Sequence, residues 1–77
     1  MKAEVYVRAG CGYCVAAKRL LVDRNIGFVE RDVSRPEVMA ELKQRYPATR
    51  TVPQIFLDGR HIGGFDDLSR HFLKYPV

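Results

Sequence analysis

The chain of 77 residues is long enough for one small domain with a modest core, and residues 1–77 are therefore predicted to form a single domain. A hydrophobic fraction of 47% and a charged fraction of 29% are typical of a soluble globular protein, and no stretch is apolar enough to span a membrane. The net charge is +4, but the cations are spread along the chain rather than clustered, which argues against binding to nucleic acid.

The first half of the sequence predicts a strand, a helix and a second strand. Apolar residues alternate from Ala3 to Val7 in β-favouring residue types, which predicts the first strand. A helical spacing of apolar positions then runs from Tyr13 to about Arg24, and Asn25 or Gly27 can supply its left-handed stop. Phe28–Val33 returns to strand character, with charges that suit an edge strand. The short connections predict a right-handed βαβ unit with parallel strands.

A second helix is predicted directly after this unit. Ser34–Glu37 has the form of a capping box with a proline in the first turn, and Pro47 ends the helical pattern. The apolar positions between them are expected to form a buried stripe, which consists of Val38, Met39, Leu42 and Tyr46.

The last third of the sequence predicts a β-hairpin and a third helix. Pro53–Leu57 is a strand, and the two-residue turn signal Asp58–Gly59 leads into a strand at Arg60–Ile62. Gly63 and Gly64 break that strand, and Asp66 or its neighbour is expected to cap a helix. The stripe of this helix consists of Leu68, Phe72 and Tyr75. The predicted architecture is α/β in the order βαβ-α-ββα, a four-stranded mixed sheet with helices on both faces.

Two cysteines lie where the first strand ends and the first helix begins. A sulfur at a helix start lies beside unsatisfied backbone N–H groups and the positive end of the helix dipole, which favour the thiolate. Cys11 is therefore the candidate nucleophile, and Cys14, one turn further into the helix, is the candidate resolving thiol. Gly12 lets the backbone turn tightly, and Tyr13 offers a ring and a hydroxyl at the rim.

The cysteine pair has two other interpretations. Tetrahedral zinc needs two more ligands, and the available histidines, His61 and His71, are ten residues apart rather than three to five. A structural disulfide between residues three apart would close a tiny loop and remove little entropy from the unfolded chain. Redox chemistry explains the pair better than either.

Three motifs occur in a fixed order: Cys11–Cys14 after the first strand, Thr51–Phe56 before the hairpin, and Gly63–Asp67 after it. With them the sequence resembles the dithiol glutaredoxins of the thioredoxin-like superfamily from about residue 3 to residue 73, and the resemblance implies their thioredoxin-like fold. One departure is Gly12, since the common motif is Cys-Pro-Tyr-Cys and this chain has Cys-Gly-Tyr-Cys. Reactivity, redox potential and cluster binding can all change with it.

The resemblance implies roles for the motif residues. Cys11 would be the nucleophile, and Cys14 would resolve the mixed disulfide. The segment Thr51–Pro53 would place a cis Pro53 against the active site and leave the Val52 backbone free to pair with an extended glutathione. Proline is the residue for which a cis bond is cheap, and it cannot donate a ladder hydrogen bond, so it can end a strand beside a substrate.

The resemblance also implies which residues bind the charged groups at the two ends of glutathione. Backbone N–H groups near Phe65 and Asp66 would hold its γ-glutamyl carboxylate, and Asp67 would accept from its ammonium. Simple helix capping is the other role for the two aspartates. Arg8 and Arg50 would reach the glycine carboxylate, and Arg8 would also favour the thiolate, although either arginine could be a solvated surface cation. The complete glutathione-binding set is Arg8, Tyr13, Arg50, Thr51, Val52, Pro53, Gly64, Phe65, Asp66 and Asp67.

The implied function is glutathione-dependent reduction of glutathionyl mixed disulfides and protein disulfides. The expected partners are glutathione and glutathionylated or disulfide-containing proteins, without nucleic acid, membrane or metal, and the enzyme is expected to act as a monomer. Met1–Val5 meets a charge at once and lacks the apolar core of a signal peptide, so a cytoplasmic location is expected.

Two alternatives stay open. In the first, a dimer shares a [2Fe–2S] cluster through two Cys11 thiolates and two glutathiones, which Gly12 favours because family members without the proline show it more readily. In the second, the protein is a redoxin reduced by thioredoxin reductase. Such proteins usually lack the Gly-Gly-x-Asp-Asp sequence that this chain has at residues 63–67.

Overall fold

Residues 1–76, which the computed structural model describes, form four strands and three helices. In chain order they are β1 (Lys2–Val7), α1 (Gly12–Asp23), β2 (Gly27–Asp32), α2 (Pro36–Arg45), β3 (Gln54–Leu57), β4 (Arg60–Gly63) and α3 (Phe65–Lys74). The strand order is β2-β1-β3-β4, with β1 parallel to β2 and all other pairs antiparallel. The predicted four-stranded mixed sheet with three helices is confirmed, as is the edge position of β2.

The sheet is covered on both faces because the strand residues alternate between two cores. Val5 and Ile55 lie on one face and join the main core with α1 and α3, whereas Tyr6 and Phe56 lie on the other face with Leu42 of α2. The main core consists of Ala3, Val5, Val7, Cys14, Ala17, Leu21, Ile26, Ile55, Leu57, Leu68 and Phe72. The two interior strands, β1 and β3, are thus fixed in register from both sides.

Two turns follow the sequence signals. Asn25 adopts a left-handed conformation (φ 58°) directly after α1, so it, and not Gly27, stops that helix. Asp58 (φ 50°) and Gly59 (φ 83°) both have positive φ, which is the two-residue hairpin turn that their sequence predicted. None of the helices within residues 1–76 is long and apolar enough to cross a membrane.

The predicted capping box of α2 is wrong. Arg35 is the residue before the helix, and its side chain makes no cap hydrogen bond. Asp32 accepts a hydrogen bond from the Ser34 N–H at 2.9 Å, which holds the pKa of the Asp32 carboxyl below its usual range. Glu37 pairs with the Arg35 guanidinium at 3.0 Å. Asp32 therefore accepts from the Ser34 N–H, the group that Glu37 would have bound in a capping box.

The start of α3 follows the prediction, and one detail at its end does not. The residue before the helix is Gly64, and Asp67, the neighbour of Asp66, completes the cap by accepting from the Gly64 N–H at 3.0 Å. Leu68 and Phe72 are buried as predicted, but Tyr75 is exposed. The helix ends at Lys74, and Tyr75 has non-helical backbone angles (φ −126°, ψ 78°). The side chain of Tyr75 therefore does not continue the apolar stripe of Leu68 and Phe72.

Candidate active site

The two cysteines occupy different environments at the start of α1. Cys11 is the residue before the helix, in extended conformation, and its sulfur accepts from the Cys14 N–H at 3.1 Å. Cys14 is only 2% exposed and packs in the main core, whereas Cys11 is half-buried. They form a disulfide, with 5.2 Å between their Cα atoms. After reduction, the same N–H and the helix N-terminus favour a thiolate on Cys11, the more accessible sulfur.

The segment before β3 lies directly against this sulfur. The Val52–Pro53 peptide bond is cis, and the Cys11 sulfur is 3.7 Å from the Val52 carbonyl oxygen. Among residues 1–76, no backbone hydrogen bond uses the Val52 N–H or carbonyl, because strand pairing begins at Gln54. Val52 thus offers one free donor and one free acceptor beside the cysteine.

A cleft of about 310 Å³ opens between this segment and the start of α3. It is lined by eight residues that the sequence had assigned to glutathione, which are Tyr13, Thr51, Val52, Pro53, Gly64, Phe65, Asp66 and Asp67. Tyr13 is 66% exposed at the rim, with its ring centroid 6.0 Å from that of Phe65. Gly64 lies beside the Pro53 carbonyl, since a Cβ at Gly64 would be in ordinary contact with that oxygen at 3.6 Å.

The N-terminus of α3 forms one end of the cleft. The first N–H groups of a helix have no partner inside it, so the Phe65 and Asp66 amides can donate to an anion. Asp67 holds this end in place, since it accepts from Gly64 and, at 2.7 Å, from the Arg70 guanidinium. Gly63 has φ 124°, and a side chain there would clash with the Asp67 carboxylate. This turn therefore requires glycine at position 63.

The two predicted arginines lie outside this cleft but adjoin it. Arg8 and Arg50 line a pocket of about 210 Å³ that shares Thr51 and Val52 with the cleft. The pocket also contains Lys43 of α2, a cation that the sequence analysis missed and that no motif marks. Within residues 1–76, none of these three cations forms a salt bridge. The far end of the cleft is therefore positive.

Arg8 also lines a larger groove beside the cysteines. This groove of about 460 Å³ contains both sulfur-bearing residues and the Lys18–Glu30 ion pair, whose charged atoms are 2.8 Å apart. The cysteines therefore face this groove, and Arg8 lines both the groove and the pocket that adjoins the cleft.

Comparison with known proteins identifies the family. Residues 3–62 match the family model described as Glutaredoxin. The chain belongs to the glutaredoxin family. Glutaredoxin 3 of Escherichia coli (strain K12) is 40% identical over 65 residues, which cover 84% of this chain and 78% of that protein. The membership and the cysteine pair support thiol–disulfide chemistry.

Two further relatives extend this comparison. Hybrid peroxiredoxin hyPrx5 of Haemophilus influenzae is 37% identical over 69 residues, which cover 90% of this glutaredoxin chain and span only 28% of that protein. The crystal structure of a buckwheat glutaredoxin–glutathione complex matches with a TM-score of 0.80 at 27% identity, covering 95% of this chain and 69% of that one. The thioredoxin-like glutaredoxin fold is confirmed.

Proposed function

We propose that this glutaredoxin is a glutathione-dependent thiol–disulfide oxidoreductase that acts as a monomer on glutathionyl mixed disulfides and protein disulfides. The observation that carries the proposal is the placement of the Cys11 sulfur 3.7 Å from the unpaired carbonyl of Val52, at the edge of the cleft described above. A disulfide substrate with a peptide backbone can pair with Val52 while its sulfur meets Cys11.

The cleft suits both the shape and the charges of glutathione. Its central cysteine would pair with Val52 as an added strand, and its γ-glutamyl carboxylate would accept from the first N–H groups of α3. Asp67 would take the ammonium, and the pocket with Arg8 and Arg50 would take the glycine carboxylate. The buckwheat relative, solved as a glutathione complex, supports this ligand.

The reaction on a glutathionyl mixed disulfide needs Cys11 alone. The Cys11 thiolate attacks the glutathionyl sulfur, the new Cys11–glutathione disulfide forms, and the substrate thiolate leaves and takes a proton. A second glutathione thiolate then attacks the bound glutathionyl sulfur, which yields glutathione disulfide and restores the Cys11 thiolate. The net reaction consumes the mixed disulfide and one free glutathione and yields the substrate thiol and glutathione disulfide, so one disulfide is exchanged for another.

The reaction on a protein disulfide uses Cys14 as well. Cys11 attacks one substrate sulfur and displaces the other as a thiolate, and Cys14 then attacks the Cys11 sulfur. This step releases the second substrate thiol and forms the Cys11–Cys14 disulfide, which two glutathiones reduce in turn. The close approach of the two cysteines, with Cα atoms 5.2 Å apart, supports this route.

The iron–sulfur alternative stays a prediction. A [2Fe–2S] cluster needs four thiolate-type ligands, and residues 1–76 contain no group of three or more side chains that could hold a metal. Cys14 is buried, so one chain offers only Cys11 as a ligand. The residues of a single chain do not fit the cluster, and a second copy with two external thiols would be required. The cytoplasmic location also stays a prediction.

The test is a coupled assay on a glutathionylated peptide. NADPH oxidation is followed with glutathione and glutathione reductase, and separately with thioredoxin reductase, for the wild-type protein and for Cys11→Ser. We expect turnover with glutathione that requires Cys11 and little with thioredoxin reductase. Turnover with thioredoxin reductase but not with glutathione would show that glutathione is not the electron source, and this result would overturn the proposal.

A further inference from the structure

A chain of hydrogen bonds behind the cleft leads to the segment that carries Val52. Gln54 is polar yet only 5% exposed. Its amide nitrogen donates to the Thr51 carbonyl oxygen at 3.0 Å and lies 3.4 Å from the Thr51 hydroxyl. Its amide oxygen is 2.8 Å from Nε2 of His61. Thr51 is thus tied through one buried side chain to the neighbouring strand.

The chemistry of these groups fixes the direction of every bond in the chain. A carbonyl oxygen can only accept, so the Gln54 NH₂ must face Thr51 and its oxygen must face His61. Nε2 of His61 must then carry a hydrogen. Because protonation of the ring would add a hydrogen at Nδ1, the bond from His61 to Gln54 survives in both charge states.

His61 is itself held in place by aromatic neighbours. Its ring centroid is 4.2 Å from that of Tyr46, at the end of α2, and 5.0 Å from that of Phe56, its cross-strand partner. Partial burial lowers the pKa of His61. His61 is exposed on β4, but its ring packs against these two aromatic rings, so the hydrogen-bond chain ends at a side chain with defined contacts.

The carbonyl that Gln54 holds belongs to the same peptide group as the Val52 N–H. A trans peptide is planar, with its C=O and N–H pointing in opposite directions. The Thr51–Val52 bond is not among the cis bonds of the described residues. When Gln54 pulls the Thr51 carbonyl inward, the Val52 N–H must point outward, away from Gln54. One buried amide thus sets the direction of a donor at the cleft.

We propose that Gln54 and His61 are positioning residues, which aim the Val52 N–H at the substrate without touching it. The inference rests on the proposed function, because it assigns this N–H to the glutathione moiety. Gln54 acts through the Thr51–Val52 peptide plane, and His61 acts through Gln54. Loss of either should weaken docking of the substrate and leave the reactivity of Cys11 unchanged.

The first test is the kinetics of Gln54→Leu, a substitution of similar size that removes the amide. We expect KM for a glutathionylated peptide to rise about tenfold, the effect of one misaligned hydrogen bond, with kcat within about twofold. The alkylation rate of Cys11 by iodoacetamide should stay within about twofold. Gln44→Leu, at an exposed position of α2, is the matched control and should leave all three quantities unchanged.

A double-mutant cycle tests whether His61 acts through Gln54. His61→Phe keeps an aromatic ring beside Tyr46 but removes the donor, and we expect it to raise KM about threefold in the wild-type background. In the Gln54→Leu background it should have no further effect. Additive effects would overturn the role of His61. If Gln54→Leu does not fold, His61→Phe alone decides, and an unchanged KM would overturn the proposal.

A measurement without substrate separates this inference from the proposed function. In ¹⁵N NMR of the reduced protein, Gln54→Leu should lower the order parameter of the Val52 amide, and Gln44→Leu should not. A wild-type protein with no saturable turnover of glutathionylated peptide would end the proposed function, while the Val52 amide would still report the positioning. Normal wild-type turnover with unchanged KM in Gln54→Leu, or a parallel loss of alkylation rate, would overturn the inference.

Discussion

The Cys11 sulfur and the Val52 carbonyl oxygen lie 3.7 Å apart, although the two residues are 41 positions apart in sequence. The sheet topology explains this proximity. Strands β1 and β3 are antiparallel neighbours in which Tyr6 pairs with Gln54, so the C-terminal end of β1 and the N-terminal end of β3 lie at the same end of the sheet. The loop after β1 carries Cys11, and the segment before β3 carries Val52.

The different environments of the two cysteines predict different roles in a mutational test. Cys11→Ser should abolish reduction of a glutathionyl mixed disulfide, because it removes the accessible sulfur at the start of α1. Cys14→Ser should retain that reaction and lose reduction of protein disulfides, because only the second route needs a resolving thiol. Assays with a glutathionylated peptide and with a protein disulfide measure both. An inactive Cys14→Ser beside an active Cys11→Ser would reverse the roles.

The two adjacent glycines before α3 should differ sharply in their tolerance of a methyl group. Gly63→Ala should lower the free energy of unfolding by about 2 kcal/mol, since its φ of 124° excludes other residues and the new Cβ would clash with Asp67. Gly64→Ala should lower it by less than about 1 kcal/mol, because the added Cβ makes only an ordinary contact with Pro53. Urea unfolding compares them. Equal losses would show that the turn does not depend on Gly63.

The contacts of Arg45 with the sheet should contribute to the free energy of unfolding, and this contribution should depend on pH. Its guanidinium donates to both oxygens of Glu4 (2.7 and 3.1 Å) and to the Tyr6 hydroxyl, and it stacks 3.8 Å above the Phe56 ring. Arg45→Met should lower the free energy of unfolding at pH 7 by about 2 kcal/mol, since it leaves Glu4 half-buried and unpaired.

The pH dependence follows from Glu4. The hydrogen bond from Arg45 lowers the pKa of Glu4 below its usual 4.5. The stabilisation is therefore complete above the unfolded-state value and is lost as the pH falls through the lower, folded-state value. The difference between the wild-type protein and Arg45→Met should shrink between about pH 5 and pH 3, as urea unfolding at several pH values will measure. An equal difference at both ends would contradict this linkage.

The fold could be predicted because its elements carry strong periodic signals, and the cleft could be predicted because its residues lie in three short motifs. The N-terminal cap of α2 could not be predicted. Either Asp32 or Glu37 could accept a hydrogen bond from the Ser34 N–H, and the sequence does not show that Asp32 does so while Glu37 pairs with Arg35. The Gln54–His61 chain depends on how β3 and β4 pair. A register shift between Ile55 and Phe56 sets that pairing, and the sequence alone gives no sign of it.

Gly12 is the position at which the active-site motif of this chain differs from the common Cys-Pro-Tyr-Cys motif. It is the first residue of α1, where proline is well tolerated, and a Cβ there would meet no atom within 4 Å. Gly12→Pro should therefore fold and raise the free energy of unfolding by about 0.5 to 1 kcal/mol, because proline restricts the unfolded chain. Deglutathionylation should stay within about tenfold, or roughly 1.4 kcal/mol in the barrier.

The same substitution tests the iron–sulfur alternative. A shared cluster would need two Cys11 sulfurs, each beside a glutathione, to converge on one pair of irons, and the bulk and rigidity of proline at position 12 should oppose that geometry. Anaerobic reconstitution with iron, sulfide and glutathione, followed by visible absorption and sedimentation, compares Gly12→Pro with the wild-type protein. A colourless, monomeric wild-type protein would remove the alternative. Equally strong absorption from both proteins would show that a cluster forms without any control by Gly12.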